Sequence, residues 1–126
     1  MLFRSQIAAG HRLLRSLGFH RAAPHPAWAR LELRWGHDAY PIPVRPYAAG
    51  VPGAWRLVYL PLRWYHWDGP LVRGLEQGAR YRASYLDTER LARRELGVIC
   101  GDAAGEWRAP TLPTMHDWLL LLERVR

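Results

Sequence analysis

The sequence predicts a mainly β chain, an antiparallel β-sandwich of about seven or eight short strands preceded by one N-terminal helix. Three observations predict it. Apolar and polar residues alternate with a period of two in segments such as Tyr81-Arg82-Ala83-Ser84-Tyr85-Leu86-Asp87, the pattern of a half-buried strand. Such segments recur at hairpin spacing, separated by Gly, Pro and Asp turns. The chain then closes on Trp118-Leu119-Leu120-Leu121-Leu122, an unbroken apolar run entered through Asp117 that reads as a final strand buried on both faces. At 126 residues there is room for one domain of ordinary size with a real core.

The elements follow in order. Leu2-Phe3-Arg4-Ser5 matches the translation of a common sequencing adapter, so residues 1–5 are expected to be foreign to the natural protein. Residues 6–19 place Ile7, Leu13, Leu14 and Leu17 on one stripe, with Ala8 and Ala9 filling in and Gly18 where a helix would stop. A lone helix of this length is marginal in water, so the stripe must pack on something. Either the following domain or one lying upstream would serve. We therefore expect residues 1–23 to be the terminal helix of a missing, barrel-like domain and residues 24–126 to form the sandwich.

After Pro24-His25-Pro26 the pattern changes from helix to strand. Residues 27–35 set Trp28, Arg30, Glu32 and Arg34 on one pleat face and Leu31, Leu33 and Trp35 on the other. Residues 40–47 are punctuated by prolines, which suits an edge, because proline donates nothing to a ladder. A turn at Val51-Pro52-Gly53-Ala54 leads into a core strand over residues 55–62. Short strands are expected over residues 71–75, 81–87, 91–100 and 106–109. In the third of these Leu96, Val98 and Cys100 are expected on one face, with Gly97 and Ile99 on the other.

Residues 63–70 interrupt this series with three aromatics beside a turn. Trp64, Tyr65 and Trp67 on a loop can stack on sugar rings or prolines, since their flat apolar faces match such surfaces while their polar edges stay wet. They are the candidate ligand-binding residues. Packing over the sandwich edge is the alternative role for them.

The net charge of +7 invites a nucleic-acid reading. All 18 basic residues are Arg, however, and Lys and Asn are absent, while Ala, Gly, Pro and Leu abound. That is the joint signature of a GC-rich coding sequence, and base composition accounts for the charge as well as a polyanionic partner does. The arginines are also scattered, and the tight group Arg90-Leu91-Ala92-Arg93-Arg94 is diluted by Glu89 and Glu95. A small basic nucleic-acid-binding protein stays as the rival reading. No apolar run approaches the roughly 20 residues that span a bilayer, so no membrane partner is expected. Cys100, the single cysteine, makes no intramolecular disulfide. The compartment stays open, cytoplasmic or exported, because any export signal would lie upstream.

Chemistry is not announced. A glycosidase needs two carboxylates about 5 to 10 Å apart across a cleft, whereas Asp68, Asp87, Asp102 and Asp117 all fall at turns or strand entries, where Asp satisfies backbone N–H groups. Ser5, Ser16 and Ser84 lack a Gly-x-Ser-x-Gly context, and Cys100 has no Cys or His beside it. His20, His25, His37, His66 and His116 show no zinc-site spacing, so neither metal nor cofactor is expected.

Four segments together resemble a known module. Leu17-Gly18-Phe19 running to Pro24 is like the last helix and exit of a (β/α)-barrel. Gly53-Ala54-Trp55-Arg56-Leu57-Val58-Tyr59-Leu60-Pro61, Tyr81-Arg82-Ala83-Ser84-Tyr85-Leu86-Asp87 and Asp117-Trp118-Leu119-Leu120-Leu121-Leu122-Glu123 are similar to strands of the C-terminal β-sandwich, called a collagen-binding domain, of glycoside-hydrolase-like, collagenase-type proteins. The resemblance covers roughly residues 44–125, and the chain departs from it at Thr88-Glu89-Arg90, where the family has Pro and Gly, and in residues 63–70. It implies a noncatalytic accessory sandwich that packs on an upstream catalytic barrel in the same polypeptide. Polysaccharide or a collagen-like fibre would be its outer contact.

Overall fold

The computed structural model describes residues 2–30, 46–60, 69–90, 92–114 and 116–126, with side chains from residue 8 onward. Among these residues the chain is mainly β, with two antiparallel sheets and one α-helix near the N-terminus. The helix α1 spans Leu2–Ser16. It ends where expected, because Gly18 turns into the left-handed region at φ 69° and its N–H caps the Arg15 carbonyl. Leu13, Leu14 and Leu17 are half-buried. At the helix exit Phe19 stacks on Trp55, with ring centroids 6.4 Å apart, and so ties the helix to the sandwich.

Nine strands follow among the described residues: β1 Ala23–Pro24, β2 Ala29–Arg30, β3 Tyr47–Val51, β4 Trp55–Leu60, β5 Leu71–Val72, β6 Arg80–Asp87, β7 Arg93–Cys100, β8 Trp107–Arg108 and β9 Trp118–Val125. The larger sheet has the order β1-β3-β4-β9-β6-β7, and the smaller one β2-β5-β8. The closing strand β9 is thus central, hydrogen-bonded to β4 on one side and to β6 on the other. That position explains its composition. Leu120, Leu121 and Leu122 are all at 0% exposure, and since neighbours in a strand point to opposite faces, both faces are covered there.

The core lies between the sheets. Val58, Leu60, Tyr81, Ala83, Tyr85, Trp118, Leu120 and Leu122 supply it from the larger sheet, and Ala29, Val72 and Ala109 from the smaller sheet and its margin. Tyr81, Ala83 and Tyr85 share one face, as the alternation in that segment predicts. Each large side chain so buried stabilises the fold by about 1.5 to 3 kcal/mol.

Three expectations are corrected. Trp28 stands in a 3-10 turn, Pro26–Trp28, because Pro26 begins a tight turn rather than a strand; only Ala29–Arg30 pair, and residues 31–35 lie outside the described residues. The strand expected over residues 71–75 stops at Val72, since residues 73–76 turn toward Arg56. In β7 the expected faces are wrong: Val98 is 52% exposed and Cys100 is exposed, while Leu96 and Ile99 pack on the core. A β-bulge is the reason. Ala83 pairs with Gly97 but Ser84 pairs with Glu95, so Leu96 is an extra residue, and Gly97 takes φ 96°, which a side chain would resist.

Candidate functional site

Trp64, Tyr65 and Trp67, the residues singled out in the sequence, lie outside the described residues. Asp68 does too. Three other groupings concentrate polar or aromatic side chains, and they differ in what they can do.

The first is enclosed. Arg56 on β4 points between the sheets with 1% of its surface exposed. Its Nη1 donates to the Arg73 carbonyl at 2.7 Å and its Nη2 to the Gly74 carbonyl at 2.5 Å, with Glu76 Oε1 at 3.4 Å. The guanidinium lies 4.1 Å from the Trp28 ring centroid, and His25 stacks on Trp28 at 3.8 Å. Gly50 makes room for this stack, because a Cβ there would meet the Trp55 carbonyl at 2.3 Å and the Trp28 ring at 3.1 Å. Tyr81 Oη donates to Glu76 Oε2 at 2.5 Å and Gly53 N–H to Oε1 at 3.1 Å. Burial alone would raise the Glu76 carboxyl, but these hydrogen bonds and the Arg56 charge outweigh it and hold the group below its usual range. Burial, followed by the bond to Glu76, pushes the Tyr81 phenol up. The network clamps residues 73–76 and the β3–β4 turn to the core, which is a structural task.

The second lies where β6 ends and β9 begins. Asp87 Oδ1 accepts from the N–H groups of Glu89 and Arg90 at 2.8 and 3.2 Å. His116 Nε2 is 3.0 Å from the same oxygen, and its Nδ1 is 3.0 Å from Thr114 Oγ1. The order acid, imidazole, hydroxyl has the connectivity of a nucleophile triad. Its surroundings give it another use: the imidazole lies flat on Trp118 at 4.7 Å, Trp118 Nε1 donates to the Thr114 carbonyl at 3.1 Å, and Thr88 Oγ1 donates to the Asp117 carbonyl at 2.7 Å. Together these fasten the entry of β9 over the turn that follows β6. Asp102 likewise holds a turn, accepting from Ala104 and Glu106 N–H at 2.9 Å each.

The third is open. Tyr47 on β3 and Tyr59 on β4 face one another across the hairpin, with ring centroids 6.3 Å apart and planes inclined by 37°. Tyr47 is 68% exposed. The two rings, with Pro24, Pro26, Leu57 and Leu119, line a groove of about 470 Å³ on the face of the large sheet turned away from the core. At its end Tyr59 Oη donates to the Asp117 carboxylate. That hydrogen bond first, then burial and the negative charge beside it, push the Tyr59 phenol up to about 12, so it stays a neutral donor. Asp117, expected at a strand entry, accepts from this side chain. Sequence reading missed the pair because Tyr47 fell in a proline-punctuated segment and Tyr59 in a core strand. The turn at residues 51–54 was the available signal, since a hairpin folded there sets Tyr47 opposite Tyr59.

No family model matches the chain, and no curated protein matches it. Solved structures do match. A chain described as a glycoside hydrolase superposes with a TM-score of 0.66 at 15% identity, over 94% of this chain and 24% of its own length. The likeness is one of fold, and this chain spans about a quarter of that structure.

Proposed function

We propose that the chain is a noncatalytic accessory β-sandwich of a glycoside-hydrolase-type protein, akin to the collagen-binding domain that the sequence resembles. It packs on a catalytic barrel in the same polypeptide and contacts polysaccharide or fibrous protein. The observation that carries this reading is the pair of coverages: nearly all of this chain, 94%, corresponds in fold to only 24% of a glycoside hydrolase. A unit of that share is the size of an appended module. Four of the described carboxylates serve the fold: Asp87 and Asp102 hold turns, Glu76 is engaged by Arg56 and Tyr81, and Asp117 by Tyr59. Glycoside hydrolysis requires two carboxylates facing a shared cleft. For the outer contact, the aromatic segment Trp64, Tyr65 and Trp67 remains the sequence-based candidate.

The test uses the 126-residue chain. It is incubated with insoluble polysaccharides and collagen fibrils, and both retention and release of reducing ends are measured. Retention on one polymer, lost when Trp64, Tyr65 and Trp67 all become Ala, with no release of reducing ends, is the expected outcome. Turnover that disappears on substituting a carboxylate would overturn the noncatalytic reading. Tight binding to single-stranded DNA that weakens by about 0.7 log units per phosphate for each log unit of salt would instead favour the basic nucleic-acid-binding rival.

A further inference from the structure

We draw no further inference here: the strongest candidate, the groove on the outer face of the β3–β4 hairpin lined by Tyr47, Tyr59 and prolines, is an apolar surface, and nothing in the structure shows what covers it.

Discussion

Arg56 sits near the start of a strand that reads as apolar, and its burial is tolerable because both terminal nitrogens and the ring faces of the guanidinium are engaged, by two carbonyls, a carboxylate and two aromatic rings. That leaves Nε as its buried donor without a hydrogen bond among the described residues. Arg56→Ala should therefore cost about 3 to 5 kcal/mol in urea unfolding at neutral pH, since two carbonyls lose their donor and Glu76 its cation. Arg56→Lys keeps the charge but loses the planar fork, and should fall between the two, at about 1 to 3 kcal/mol. A loss within about 0.5 kcal/mol for Ala would show that the clamp on residues 73–76 is redundant. Tyr59 gives a second prediction at this scale. Its phenol titrates higher in the folded chain, about 12 against an ordinary 10.0, so its contribution is complete below pH 10 and fades as pH rises from there through about 12. Glu76 acts in the opposite window. Its folded value lies below 4.5, so the stability it adds is present above that pH and is lost as pH falls through the lower, folded value. Thermal unfolding followed across both windows should show Tyr59→Phe reducing the alkaline fall and Glu76→Gln flattening the acid limb, the latter with a smaller change on the alkaline side, because Tyr81 loses the carboxylate that helps to raise its phenol.

At the level of elements, the bulge in β7 decides which apolar residues matter. Leu96 packs on the core whereas Val98 is half exposed, although unbroken alternation sets them on the same face. Leu96→Ser should lower stability by about 1 to 3 kcal/mol, and Val98→Ser by no more than about 0.5. Equal losses would mean that the strand runs in regular register. On β9 the outcome is set by position: Trp118 is 3% exposed, packs edge-on against Tyr85 at 6.0 Å and flat on His116, so Trp118→Ala should cost about 3 to 5 kcal/mol. These cases mark what was legible. The unbroken leucines of β9 and the alternation of β6 were readable because burial of a strand is written in its own side chains. The bulge was not, since an extra residue shows only against its partner strand. Arg56 was not either, since the carbonyls that satisfy it come from residues 73–76, far along the chain. The same holds for the groove, whose Tyr47, Tyr59 and Asp117 come together only through the pairing of β3 with β4 and β4 with β9.

For the molecule as a whole, the question is whether α1 belongs to the sandwich. The core cluster is drawn from the two sheets and their loops, and the tie we see from the helical end is Phe19 on Trp55, beyond the helix itself. Leu13, Leu14 and Leu17 are half-buried, so the stripe keeps apolar surface for a further partner, which in the accessory reading is the barrel. Removing residues 1–18 leaves Phe19, β1 and the whole of the larger sheet in place. The truncated chain should then lose the helical part of its far-ultraviolet circular dichroism and still unfold in one cooperative transition. Its midpoint should fall by only a few degrees, about the change that 1 kcal/mol makes in a domain of this size. If cooperativity disappears with the helix, α1 is part of this domain's own core and the stripe has no call for a second domain. Should the truncated chain instead bind a glycoside hydrolase barrel no worse than the intact one, the contact between domains runs through the sandwich, and the helix serves only as the lead into it.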